Sequence, residues 1–144
     1  MGIRFAALKD KDFVKSLDRE NMVPIIKETE GEYRGYMLDS FDPDKCLIIE
    51  SGKESIGFAY LRNLGNKLEI QSIQIKKDFQ GKGYGQELMS YIVNFAKSKR
   101  LKKVVLEAHD INRKAISFYE RFGFKNLGEV KNKNNKIGFE FNIK

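Results

Sequence analysis

Residues 68–108 of this 144-residue chain place the strongest constraint on its fold. LEIQSIQI (68–75) is a run of β-branched and apolar residues. QELMSYIVNFAKSK (86–99) puts Leu88, Ile92 and Phe95 on one helical stripe with Met89, Val93 and Ala96 beside it, and KVVLEA (103–108) is a near-continuous apolar run of the kind buried on both faces of a sheet. A strand, a helix and a second strand in this order close as a right-handed crossover between parallel strands. The fold must therefore contain a parallel pair with a helix laid across it.

The segments on either side read as antiparallel. IRFAAL (3–8) has the character of a first strand, and Asp10 or Asp12 caps a helix carrying Phe13, Val14 and Leu17. From Met22 to Phe41, Ile25, Ile26, Tyr33, Tyr36, Met37 and Phe41 recur at helical spacing, interrupted by Gly31 and Gly35, which predicts a second, bent helix. CLIIES (46–51), a Gly52-Lys53 turn and SIGFAYLR (55–62) form a hairpin, and Gly65-Asn66 leads into LEIQSIQI as a third partner. In that strand the apolar phase slips at Gln71-Ser72, which predicts a bulge. Asn112 caps RKAISFYERF (113–122), Gly123 stops it, and FKNLGEV (124–130), an NKNN turn and KIGFEFNI (136–143) close as a hairpin. The expected fold is α+β, one domain over 1–144, with a mixed, mostly antiparallel sheet of about seven strands and four helices.

Composition narrows the function classes. With 41% hydrophobic and 33% charged residues and two prolines, the chain has material for a core and no disordered or fibrous signature. The lone Cys46 pairs with nothing inside the chain and reads as a small buried hydrophobe, and the opening MGIRFAALKDKDF lacks a secretory pattern, so a reducing cytoplasm is expected. No apolar run approaches the roughly 20 residues of a membrane span. Residues 1–75 hold 11 basic and 13 acidic side chains and residues 76–144 hold 16 and 7, so the net +7 sits in the second half. Nucleic-acid binders cluster such charges with stacking aromatics. Here the lysines are scattered, and KSKRLKK (97–103) lies at a helix end where cations suit the dipole. Nucleic acid is not expected, and without spaced Cys or His no metal site is indicated.

The sharpest motif is QGKGYG (80–85), which follows a strand and opens the long helix. Glycines 81, 83 and 85 strip side chains from one stretch of backbone, so its N–H groups can face an anion at the helix N-terminus. It is neither a Walker loop nor the dinucleotide fingerprint, since Gln86 stands where a third glycine belongs.

Gln80-x-x-Gly83-x-Gly85, eleven residues after Glu69, resembles the acetyl-coenzyme A loop of the GNAT superfamily of N-acetyltransferases, and Asn112 with AISFYERFGF (115–124) resembles that family's second signature. The resemblance implies that the fourth and fifth strands are parallel and splayed, and that the backbone of Gln80, Gly81, Lys82, Gly83, Tyr84 and Gly85 holds the pyrophosphate, with Lys82 adding charge and Gln86 completing the cradle. It further implies that the pantetheine arm lies against the backbone of Ile73 and Ile75 and is hydrogen-bonded by Asn112. Tyr119 then protonates the departing thiolate, and Glu69 is the general base, directly or through water. Each residue also has a structural reading: Tyr119 as a core aromatic, Glu69 as a strand residue paired with Lys67 or a neighbour, and His109 as a structural or exposed side chain.

An ammonium must lose a proton before it attacks a thioester, and the developing oxyanion needs N–H donors such as those near Ile73. No nucleophilic cysteine is required, so direct transfer in a ternary complex is expected. Residues 10–44 carry ten acidic and five basic side chains, including Glu28, Glu30 and Glu32 beside Tyr33 and Tyr36. Such a segment suits a cationic small-molecule or peptide amine, though an ordinary solvated helix face has the same composition. The expected protein is a monomer or homodimer. A degenerate acyl-coenzyme A sensor shares every loop feature, and acetyl-transfer assays separate the two.

Overall fold

The structure, a computed structural model, describes residues 2–29, 40–133 and 135–144. Seven strands form one sheet: β1 (Gly2–Phe5), β2 (Cys46–Ser51), β3 (Glu54–Asn63), β4 (Lys67–Ile75), β5 (Lys103–His109), β6 (Lys125–Glu129) and β7 (Lys136–Asn142), in the order β1-β2-β3-β4-β5-β7-β6. The β4–β5 pair is parallel, as the crossover requires. The β1–β2, β2–β3, β5–β7 and β6–β7 pairs are antiparallel. The parallel register covers Lys67–Ile70 against Lys103–Leu106 only, so it ends just before Gln71-Ser72, where the alternation of β4 slips.

Packing divides the chain into two compact units, residues 1–61 with 72–91 and residues 62–71 with 92–144. In the first unit the hairpin turns on Gly52 at φ +62°, and its register sets Leu47 opposite Ala59 and Ile49 opposite Gly57. Val14 and Leu17 bury against Cys46, Ile48, Phe58 and Tyr60, while Leu47, Ile49 and Ala59, on the other face of the hairpin, are buried as well. A two-face burial of this kind explains the near-continuous apolar character of CLIIES. Gly57 marks the tightest approach: a β-carbon there would stand 2.6 Å from the Gln74 carbonyl oxygen and 2.6 Å from Ile75 Cδ1. Position 57 therefore has to be glycine for β3 to lie this close to the end of β4.

In the second unit the core is aromatic. Tyr119 lies 5.5 Å from Phe139 and 5.9 Å from Phe124, and Phe141 lies 5.5 Å from both Phe122 and Phe124, ring centre to ring centre. Gly123 ends the helix before β6 at φ +122°, a backbone that disfavours side chains.

Three expectations are corrected. Among the described residues there are three α-helices rather than four: α1 (Lys11–Thr29), α2 (Tyr84–Ser98) and α3 (Arg113–Phe122). The two helices expected before β2 are one as far as Thr29, because no glycine or cap interrupts 11–29 and Pro24 is carried inside the helix; the rest of the bent segment, 30–39, lies outside the described residues. Asp10 does not cap α1, since its carboxylate turns back to accept from Ala7 N–H at 2.8 Å and from both Arg4 terminal nitrogens at 2.9 and 3.0 Å. Strand β5 is not buried on both faces: Val104, Leu106 and Ala108 are buried, but Glu107 is exposed and salt-bridged to Lys133 at 2.9 Å, and Lys103 pairs with Glu140 at 3.0 Å.

Candidate functional site

The expected site residues divide between the units. Ile73, Ile75 and residues 80–86 belong to the first, and Glu69, Asn112 and Tyr119 to the second.

In the first unit, β4 ends at Ile75 and a 3-10 turn (Lys77–Phe79) delivers the chain to Gln80. Gly81 and Gly83 then take φ +75° and +93°, and a β-carbon added at either would meet nothing within 4 Å. The two glycines are required by their backbone angles, and the space beside them is open. Helix α2 begins at Tyr84, two residues before the expected start. Its first bond runs from Glu87 N–H to the Gly83 carbonyl at 3.1 Å, which leaves the N–H groups of Tyr84, Gly85 and Gln86 ahead of the intrahelical ladder. Left-handed glycines leading into a helix N-terminus form a concave array of N–H donors, the geometry that takes a phosphate. A coenzyme A pyrophosphate fits this cradle, whose open side is where side chains would otherwise stand.

The loop is braced from several sides. Gln80 spends its N–H on the Lys77 carbonyl at 3.2 Å and donates from Nε2 to the Ile75 carbonyl at 2.9 Å. The Tyr84 ring packs edge-on against Phe79 at 5.9 Å, and its hydroxyl lies 3.3 Å from Ser51 Oγ in the β2–β3 hairpin. The Lys82 ammonium sits 5.8 Å from the centre of the Phe79 ring. Ile75 is buried and Ile73 half-buried.

Two residues here escaped the sequence reading. Gln74, a residue of β4, is buried and donates from Nε2 to Asp18 Oδ1 of α1 at 2.7 Å and to Ser72 Oγ at 2.8 Å. A glutamine in an alternating strand looks solvent-facing, and its partner lies 56 positions away, so no local signal could have joined them.

In the second unit, Glu69 stands opposite Val105 in the parallel register, its Oε1 2.9 Å from both Arg62 Nε and Nη2. Arg62 is thus the neighbour that holds it. Asn112 caps α3, accepting from Ala115 N–H at 3.3 Å. Tyr119 is buried, and burial pushes its phenol up to about 12. Its hydroxyl makes no hydrogen bond among the described residues. His109 is buried at the end of β5, opposite Lys136. Cys46, in the first unit, is fully buried, and desolvation pushes its thiol up to about 12, which removes any nucleophilic character. Of the acidic segment, Glu30 and Glu32 with Tyr33 and Tyr36 lie outside the described residues, as does the side chain of Glu28.

Residues 11–124 match the Acetyltransferase (GNAT) family. The chain belongs to this family. It is 26% identical to the glucosamine 6-phosphate N-acetyltransferase of Arabidopsis thaliana over 128 residues, covering 82% of this chain and 84% of the relative. It is 30% identical over 97 residues to an uncharacterized N-acetyltransferase of Methanocaldococcus jannaschii, where the match covers 62% of this chain and 43% of the relative. The PaiA N-acetyltransferase of Thermoplasma acidophilum, solved in complex with coenzyme A, has the same fold, with a TM-score of 0.77 at 22% identity over 98% of each chain. Among the described residues no helix is long and apolar enough to cross a membrane, and no group of His, Cys, Asp and Glu is arranged to hold a metal ion.

Proposed function

We propose that this GNAT-family chain transfers an acetyl group from acetyl-coenzyme A to a primary amine, by direct attack, in the cytoplasm. The observation that carries the reading is the loop at 80–86, where Gly81 and Gly83 at positive φ lead into the free N–H groups of Tyr84, Gly85 and Gln86. The pyrophosphate is held by the backbone of residues 81–86 with Lys82 beside it, the Gln80 N–H being spent on the Lys77 carbonyl, and the pantetheine arm runs along Ile73 and Ile75. Asn112 contributes its side-chain amide, whose oxygen already caps α3. Acetyl-coenzyme A, when bound, would supply the activated thioester, and coenzyme A would leave as the thiol.

Glu69 takes the proton from the ammonium, directly or through water, in a carboxylate oriented by Arg62. Tyr119 holds a proton at its hydroxyl for the leaving sulfur. Its burial keeps the phenol neutral, and its freedom from hydrogen bonds among the described residues leaves the donor available. An amine acceptor is supported by the plant relative, named a glucosamine 6-phosphate N-acetyltransferase, and a cationic one by the acidic balance of residues 10–44.

The test is release of free thiol from acetyl-coenzyme A in the presence of an amine panel comprising a polyamine, an aminoglycoside, a lysine-containing peptide and glucosamine 6-phosphate. Amine-dependent thiol release supports the reading. Coenzyme A binding without transfer to any amine would make the chain a sensor instead.

A further inference from the structure

Strand register divides the sheet of the second unit into two faces. Leu68, Ile70, Val104, Leu106 and Phe139 share the buried one. On the other, Lys67, Lys103 and Asn142 stand in one row across β4, β5 and β7, and Glu69, Val105 and Glu140 stand in the next. The rows are two residues apart along each strand, roughly 7 Å. Glu69, Glu140 and Lys103 keep 26%, 19% and 36% of their side chains exposed, so both rows are open to a molecule arriving from solvent.

The carboxylates of this face are already taken. Arg62 holds Glu69, Lys103 holds Glu140, and Lys133 holds Glu107, two residues beyond Val105. Half-buried Lys67 is left with no acidic partner among the described residues, and the register sets it directly beside Lys103. Like charges abreast on neighbouring strands cost stability. Residues 62–67 and 97–103 add to that cost, with seven basic side chains and no acidic one. A neutral residue at 67 would relieve the repulsion, so two cations side by side break the charge pairing that the rest of the face keeps, and such breaks concentrate where a chain binds something. An ammonium has three donors and no acceptor, so Lys103 keeps two beyond its bond to Glu140, and Asn142 adds an amide at the end of the row. A carboxylate or phosphate satisfies such a row of donors. In the neighbouring row, Glu69 takes both Arg62 bonds on Oε1, which leaves Oε2 for the acceptor's amine. An acceptor lying along β4 with its nitrogen at Glu69 carries its other end over Lys67 and Lys103.

We infer that the acceptor is an amine that also carries a carboxylate or phosphate, with its nitrogen at Glu69 and its anionic group on the row of Lys67, Lys103 and Asn142. The inference rests on the amine reading above, with Glu69 as base, and adds the second group. It is tested by acetyl-transfer kinetics on matched amines, 6-aminohexanoate against 1-aminohexane and glucosamine 6-phosphate against glucosamine, with spermidine as a purely cationic comparison. Coenzyme A titrations and thermal melts of each variant run beside them. In at least one pair the wild type should prefer the anionic member by about tenfold or more in kcat/KM, and should use it better than spermidine. Lys67→Gln should bring that pair close to parity through the KM of the anionic member, Lys67→Arg should restore the preference, and the coenzyme A dissociation constant should not move. Equal use of both members, a better rate with spermidine, or a preference that survives in a folded Lys67→Gln enzyme would overturn the inference. Binding is also read without turnover. With coenzyme A saturating, so that the loop at 80–86 is occupied, inorganic phosphate should raise the melting temperature of the wild type more than that of Lys67→Gln. If no amine is acetylated, the amine reading fails and the phosphate melts still decide the anion row: a shift that depends on Lys67 keeps it, and equal shifts in the two chains overturn it.

Discussion

Replacing Tyr119 by phenylalanine separates a catalytic hydroxyl from a core ring. The ring keeps its contacts with Phe118, Phe124 and Phe139 at 5.5 to 5.9 Å, and the hydroxyl breaks no hydrogen bond among the described residues when it leaves. Fold stability should therefore change by less than about 1 kcal/mol at neutral pH. If the hydroxyl protonates the leaving thiolate, turnover should fall by about 10²- to 10⁴-fold, or roughly 3 to 5 kcal/mol of barrier. Coenzyme A affinity should be retained. The pH dependence adds a second signature, because burial raises the phenol from near 10 to about 12 in the folded chain. Between those values the unfolded chain ionises while the folded one does not, so the contribution is fully present below pH 10 and is lost as pH rises through about 12. Thermal melts of the wild type should lose stability over that interval more steeply than melts of Tyr119→Phe. Over pH 7 to 10 the wild-type kcat should show no alkaline fall attributable to this residue. Wild-type turnover in the variant, or a kcat that falls with a pKa well below 10 and recovers in Tyr119→Phe, would refute the assignment.

Other consequences follow from particular contacts. Gly57→Ala places a β-carbon 2.6 Å from a backbone oxygen and from Ile75 Cδ1, so β3 and β4 must part, at a cost of about 1 to 3 kcal/mol. Its melting temperature should drop by about 3 to 10 °C, and an unchanged melt would show that the strands are not so tightly apposed. Arg4, hydrogen-bonded to Asp10, and the Ala7 N–H hold the Asp10 carboxyl below its usual value, so its stabilisation is present above about pH 4 and lost as pH falls through the depressed pKa. Asp10→Asn should cost about 1 to 2 kcal/mol at pH 7 and flatten the acid limb of stability; parallel acid limbs in variant and wild type would contradict this.

Much of the sheet was legible in sequence because binary pattern and turn chemistry agreed there. CLIIES, the Gly52-Lys53 turn and the strand after it could be read as a hairpin since apolar runs were bounded by residues that tolerate the turn. RKAISFYERF was bounded by Asn112, which does cap it, and Gly123, which does end it. Periodicity misled before β2, where it divided into two helices a segment that the structure joins as α1 through Pro24, and where an apolar run hid its exposed members, as with Glu107 in β5. At the candidate site, the glycine loop was visible because left-handed backbone leaves a residue signature. The Asp18–Gln74 pair left none, since each residue alone looks like a surface polar group and only folding brings them within 2.7 Å. Arg62 was invisible for the same reason, as the charge that holds Glu69 stands across a turn on the preceding strand.

The loop at 80–86 as a pyrophosphate cradle is tested most directly by thermal melting of the chain with coenzyme A, with pantetheine, which lacks the pyrophosphate, and with the Gly83→Val variant. At a ligand concentration about 100 times Kd, binding to the native state alone adds about 2.7 kcal/mol, which for a chain of this size corresponds to a rise on the order of 5 to 10 °C. Coenzyme A should produce that rise in the wild type, and pantetheine should produce little of it. In Gly83→Val, where a β-branched residue is forced to φ +93°, coenzyme A should produce almost none, relative to the variant's own baseline. A coenzyme A shift that survives in Gly83→Val, or that pantetheine reproduces in full, would contradict the assignment of the anion to this loop.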